Sequence, residues 1–260
     1  MSNLKKQEFK DFNILVIGDN CTDKFIYGDT FRLAPEAPVP VFNPSYSSTN
    51  PGMSGNVVVN LQALGAKVIN LSNPENVVKT RYVDDRSGQI LLRVDENDKV
   101  KRIKPEVLHQ IANNELYGIE LDAIIISDYD KGFLEEDDID FICRNNFNVF
   151  IDTKKIIDEW IQHATFIKIN HVEYERTEYT LKHLGIENKL VVTLSSRGCQ
   201  HKSKIYPVEK VQIRDVSGAG DTFLSGLVAE YIRTKDIEQA IIFAQKCASI
   251  VVQKIGVSTI

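Results

Sequence analysis

Cysteine is scarce: Cys21, Cys143, Cys199 and Cys247 are scattered over 260 residues with no paired spacing. That excludes a disulfide scaffold and a structural zinc site, and it points to a reducing, cytoplasmic setting. The five histidines form no His-x-x-x-His pair. No run is long and apolar enough to span a membrane, and the polar start MSNLKKQEFKDFN lacks a signal-peptide core. Excess positive charge is missing as well; a net charge of -5 argues against nonspecific nucleic-acid binding. Three phosphate-handling signatures are also absent. There is no G-x-x-x-x-G-K-[ST], so the chain is not a P-loop nucleotidase. In GAGDTF, Phe223 occupies the third glycine position of a dinucleotide fingerprint. A protein-kinase set is not found.

What is present is an ordinary globular composition, 43% hydrophobic and 26% charged, with length enough for a sizeable core. NILVIGD, AKVINLS, LDAIIISDY, NVFIDT, TFIKIN and LVVTLSS read as buried strands. GNVVVNLQALG, PEVLHQIANNEL, EEDDIDFICRNN, HVEYERTEYTLKHLG and two C-terminal stretches read as helices between and after them. That alternation predicts a three-layer α/β fold, a mostly parallel sheet with helices on both faces. Two segments, about 24–43 and 81–95, break the pattern. The first is extended and proline-containing; the second reads as two strands with a turn at Asp84–Gly88. Together they predict a small antiparallel lid on a single domain spanning 1–260. Polar residues gather at strand ends, where open parallel sheets bind ligands. They are Asp19 and Asp23, Asp128, Asp152 and Lys154, Asn170 and Glu173, and Thr193 to Gly198.

Near the C-terminus, VQIRDVSGAGDTFLSGLVAEYI places two glycines and an acid at a helix mouth. Phe223, Leu224, Leu227, Val228, Tyr231 and Ile232 recur at helical spacing, so a helix starts near Gly220. One reading is a plain N-terminus, with Ser217 as cap and Asp221 complementing the dipole. The other is a phosphate cradle, because unpaired N–H groups at a helix start suit an anion. Phosphoryl transfer needs support for the equatorial oxygens and a base for the attacking hydroxyl. Gly218, Ala219 and Gly220 amides would supply the first and Asp221 the second.

These residues carry a resemblance. DVSGAGDTF looks like the C-terminal signature of the ribokinase-like (phosphofructokinase B type) sugar kinases, and PGMSGNVVVNLQALGAKV like their N-terminal glycine signature. NHVE matches the family's Asn-x-x-Glu, and VVTLSSRG its nucleotide-loop strand. GDNCTDKFIYG, FRLAPEAPVPVF, SDYDKGFL and ASIVVQKIGVSTI are most similar to the D-glycero-D-manno-heptose 7-phosphate kinases. The resemblance runs over essentially the whole chain. It implies an ATP- and Mg²⁺-dependent kinase acting on the anomeric hydroxyl of a heptose 7-phosphate. Asp221 would be the base and Gly218 to Gly220 the anion hole. Asn170 and Glu173 would organise Mg²⁺ through water, and Thr193 and Gly198 would line the nucleotide site. Asp23, Gly52 and Asn56 would hold sugar hydroxyls. Asp215 and Ser217 sit where many relatives bind a monovalent cation.

A phosphorylated sugar also calls for a cationic grip, for which Arg81, Arg93, Lys131 and Lys154 are the candidates beside Asp128. Apolar lid strands and free edges predict a homodimer through the lid, a pairing common among related kinases. Three departures from the family stand out. Met53 replaces a second glycine after Gly52; NLSNPENVV runs directly into KTRYV where relatives carry a further helix and strand; and no adenylyltransferase half follows Ile260. Activation to a nucleotide sugar would then need a separate enzyme. A kinase for another sugar, or a non-catalytic sugar or nucleotide sensor, are the competing readings.

Overall fold

The computed structural model describes residues 9–113, 116–254, 256 and 258–260. In chain order the elements are β1 (Asn13–Gly18), β2 (Asn20–Leu33), β3 (Pro40–Met53), α1 (Ser54–Leu64), β4 (Lys67–Ser72), β5 (Val78–Asp84) and β6 (Ile90–Glu96). There follow α2 (Pro105–Ala112), β7 (Ala123–Asp128), α3 (Glu136–Asn145), β8 (Val149–Thr153), β9 (Phe166–Asn170) and α4 (His171–Leu184). The chain closes with β10 (Leu190–Thr193), β11 (Cys199–His201), β12 (Lys204–Tyr206), α5 (Ala219–Thr234) and α6 (Ile237–Val251).

Eight strands form the body sheet, in the order β12-β11-β10-β9-β8-β7-β1-β4. From β4 to β10 all neighbours are parallel; β11 and β12 add an antiparallel edge. Period-two alternation sends side chains to opposite faces. Leu15, Ile17, Ile124 and Ile126 pack with Leu108 of α2, Ile139 and Ile142 of α3 and Leu181 of α4. Ile14, Val16 and Ile125 pack instead with Val57 and Leu61 of α1 and Leu224 and Val228 of α5. Each fully buried aliphatic side chain contributes about 1.5–3 kcal/mol. The three-layer α/β architecture is therefore the expected one. β1 pairs with β4 on one side and β7 on the other, so the strand order reverses there. Such a reversal opens a crevice at the carboxyl ends.

The lid differs from expectation in size and in direction. It is a four-stranded sheet, β3-β2-β5-β6, covering 20–53 and 78–96 rather than about 24–43 and 81–95. β2 pairs antiparallel with β3 but parallel with β5, so the sheet is mixed. PSYSSTNPGM, which has the composition of a loop, completes β3 because the ladder to β2 supplies its hydrogen bonds. The hairpin β11–β12 was not foreseen either, being two strands of three residues each. β4 forms the edge of the body sheet, and residues 73–77 lead directly into β5.

Candidate active site

Helix α5 begins behind Gly218, whose φ of 77° puts the N-cap in the left-handed region that favours glycine. No side chain caps the helix, so Ser217 is not the cap. Among the described residues the amides of Gly218, Gly220 and Asp221 have no hydrogen-bond acceptor, whereas that of Ala219 donates to Val216 O at 3.2 Å. Of the three amides expected to form an anion hole, that of Ala219 is therefore already engaged, while the amide of Asp221 is open. A Cβ on Gly220 would lie 3.1 Å from Lys168 Nζ, so an ammonium comes close to the open amides.

Asp221 is buried and lines a cleft of about 210 Å³ between lid and body. Asn56 Nδ2 donates to its Oδ2 at 2.9 Å, and Tyr129 OH donates to its Oδ1 at 2.7 Å. Burial lifts the carboxyl to about 6, against the pull of those two donors; Asp152 adds to the rise and Lys168 opposes it. A carboxylate with this value is ionised at neutral pH yet basic enough to take a proton.

The lid contributes the rest of the cleft, which is lined by Asp23, Lys79, Arg81 and Arg93. Gly52 faces Cys21 across the β2–β3 ladder, and a Cβ there would come within 2.3 Å of Asp23 Oδ2. Only glycine lets Asp23 lie over that strand. Met53 holds φ 54° and ψ -131° at the junction of lid and α1, a conformation that strains any residue but glycine. Its side chain is buried against Cys21 and Val77 and lines the cleft.

The four expected gripping cations are already engaged. Arg81 Nη1 pairs with Asp23 at 2.5 Å, and Arg93 binds Asp95 through two contacts of 2.6 and 2.7 Å. Lys131 pairs with Asp98 and Lys154 with Glu173, each at 2.5 Å. Lys79, which the sequence reading passed over, is the exception. In register it faces Asp23 on β2 and Asp95 on β6, but the two arginines take both carboxylates. Lys79 is 6% exposed, and no ion pair holds it among the described residues. Burial, and after it the charges of Arg93 and Lys131, lower its pKa from 10.5. Its ammonium lies 5.6 Å from the Tyr129 ring centroid, as does that of Lys154.

At the ends of β8 and β9 the expected metal-organising pair is a helix cap. Asn170 Oδ1 accepts from Glu173 N, and Glu173 Oε2 accepts from Asn170 N, which starts α4. Asp152, noted in the sequence but given no role, holds Lys168 at 2.5 Å through one oxygen, while its Oδ1 is buried without a hydrogen bond. No cluster of three metal-ligating side chains occurs among the described residues. Asp215 accepts from Ser217 N and Gly256 N, so its carboxylate ties the loop before α5 to the C-terminal segment.

Asp128 is not open to a substrate. It is buried, with Thr153 Oγ1 and Lys155 Nζ on its oxygens. Thr193 donates to Ile169 O, and Gly198, at φ 94°, lets the chain pass Tyr206 O on the way into β11. Neither lines the cleft. Lys79, Tyr129, Cys21 and Lys168 are the site residues that the sequence reading missed. The available signal for Lys79 was parity: it stands two residues before Arg81 on a strand, hence on the same face.

Residues 133–260 match the pfkB family carbohydrate kinase. The bifunctional protein HldE of Vibrio vulnificus is 30% identical over 299 aligned positions, covering 97% of this chain and 62% of the relative. HldE of Escherichia coli O9:H4 is 29% identical with the same coverage. The chain thus spans about three fifths of the curated relatives it matches. Among solved structures, ribokinase from Thermotoga maritima superposes with a TM-score of 0.68 at 19% identity, covering 95% of this chain and 94% of that one. Phosphofructokinase-2 from Escherichia coli, solved with potassium, gives 0.69 at 13% identity, covering 95% and 94%. No helix among the described residues is long and apolar enough to cross a membrane.

Proposed function

We propose that the chain is a carbohydrate kinase of the ribokinase-like type and that it transfers the terminal phosphoryl group of ATP to the anomeric hydroxyl of a sugar that already bears a phosphate. D-glycero-D-manno-heptose 7-phosphate is the first candidate, on the strength of the HldE relatives. Asp221 takes the acceptor's proton as its oxygen attacks phosphorus and the bond to the ADP oxygen breaks. The open amides of Gly218, Gly220 and Asp221, with Lys168 beside them, offer positive charge to the transferred group. Asn56 orients the base and Asp23 holds a sugar hydroxyl.

The donor set fits a Mg²⁺ carried in by the nucleotide rather than a resident ion. The Asp152 oxygen that lacks a hydrogen bond and the carboxylate of Glu173, both beside the Lys154 ammonium, would hold its waters. When bound, the ion neutralises phosphate charge. The Asp215 loop is the place for a monovalent cation, as in the family resemblance.

Lys79 carries the reading. A largely buried lysine that faces the cleft with no counter-ion among the described residues is costly to keep, and a phosphate on the acceptor would satisfy it. Turnover of ATP to ADP, measured over matched pairs of free and phosphorylated sugars, tests it. Heptose 7-phosphate should exceed free heptose, ribose and adenosine in kcat/KM by about tenfold to a hundredfold, the size of one charge-assisted contact. Equal values for the free sugar would remove the phosphate from the proposal and leave a kinase for a neutral sugar.

A further inference from the structure

We propose that Tyr129 is a positioning residue for phosphoryl transfer, its hydroxyl fixing the Asp221 carboxylate in place and holding it ionised. The role of Asp221 as base rests on the function proposed above; the contact itself does not. Tyr129 OH lies 2.7 Å from Asp221 Oδ1, across 92 residues of sequence. With Asn56 on Oδ2, each carboxylate oxygen has one donor and keeps a lone pair for the acceptor hydroxyl.

The tyrosine is itself anchored. Asp19, buried at the end of β1, accepts from the amides of Tyr129, Lys131 and Phe133, which ties this loop to the body sheet. Two ammonium groups flank the ring at 5.6 Å, Lys79 from the lid and Lys154 from the end of β8. Both cations draw on the ring's electrons, which fixes its plane and makes the phenol a better donor. Burial and the charge of Asp221 raise the Tyr129 pKa well above 10, so the hydroxyl keeps its proton and donates it.

The titratable and charged groups facing Asp221 are Cys21 from β2, Tyr129, Asp152 and Lys154 around β8, and Lys168 from β9. Of these, Tyr129 alone hydrogen-bonds to it among the described residues, the other donor being the amide of Asn56. Loss of the donor removes a pull toward the ionised form, so the folded pKa rises and the base is protonated at higher pH.

The test is Tyr129→Phe, which keeps the ring and removes the hydroxyl. A ¹³C carboxyl titration of the free protein, with Asp221 assigned through Asp221→Asn, needs no acceptor sugar. The Asp221 midpoint should rise by about one unit or more, the size of a hydrogen bond to a carboxylate. An unmoved midpoint overturns the proposal whatever the enzyme phosphorylates. On the sugar phosphate, the acid limb of kcat/KM should move up with it. Below both midpoints kcat should fall about tenfold with the acceptor KM unchanged. A uniform loss at every pH, or loss of the melting transition, would make the contact merely structural and also overturn it. If the wild type turns over no sugar phosphate, the functional reading fails while the titration still decides Tyr129.

Discussion

Replacing Lys79 with methionine should make the protein more stable and a worse enzyme. In the free protein Lys79 is largely buried and faces the cleft, the carboxylates opposite it in register are bound to Arg81 and Arg93, and its ammonium lies over the Tyr129 ring. Methionine matches the stem and removes the charge, so stability should rise by about 1 kcal/mol or more. For a domain of this size that is about 2–4 °C in Tm. The sign follows from linkage. The folded pKa lies below 10.5, so the unfolded chain binds more protons between the two values and wild-type stability rises with pH there. The gain in the variant is therefore full at neutral pH and fades as pH climbs through that window. Catalysis should move the other way. One charge-assisted contact of about 1.5–3 kcal/mol predicts a kcat/KM loss of about tenfold to a hundredfold for the phosphorylated acceptor. Free sugar should lose nothing. Inorganic phosphate should raise the Tm of the wild type more than that of the variant. A destabilised Lys79→Met protein with unchanged acceptor kinetics would refute the reasoning.

Asp221→Asn should retain the fold and nucleotide binding and lose about 10²–10⁴ in turnover, read by a coupled ADP assay. Since the acting form is the carboxylate, wild-type kcat/KM should fall as pH drops below about 6, and the variant's residual rate should lack that limb. At Met53, the φ of 54° reverses a familiar order: Met53→Gly should be more stable in urea than Met53→Ala by about 1 kcal/mol. Equal midpoints would remove the strain argument. The lid exposes Phe31, Leu33, Ile90 and Leu92, with β3 and β6 as free edges, so light scattering should give a dimer at micromolar concentration and Leu92→Glu a monomer.

The layers of this fold were legible because the body strands are unbroken runs of isoleucine, valine and leucine, buried on both faces. IIIS and VIG cannot be anything but interior. β3 was not legible. From Pro44 onward it is polar, carries two prolines and is mostly exposed, so nothing in its composition marks a strand. The long hairpin with β2 holds it there, and a ladder is a property of the partner. The β11–β12 hairpin, three residues a side, falls below what periodicity can register.

The site divides along the same line. Asp221, Asn56, Asp23 and Gly218 stand out in sequence because a helix mouth, a glycine pair or a strand end singles out each position. The grip could not be found that way. Arg81 and Arg93 looked like the free cations because arginine suits phosphate, yet they lie directly opposite each other on β5 and β6. Like charges so placed repel unless each has its own carboxylate, and register supplies Asp23 to one and Asp95 to the other. Those pairings span 58 residues in one case and two in the other. Once both acids are taken, Lys79 is left between them with none. Which cation is free is therefore decided by strand order and register, not by residue type, and any search of a lid sheet for an anion site has to remove the paired charges first.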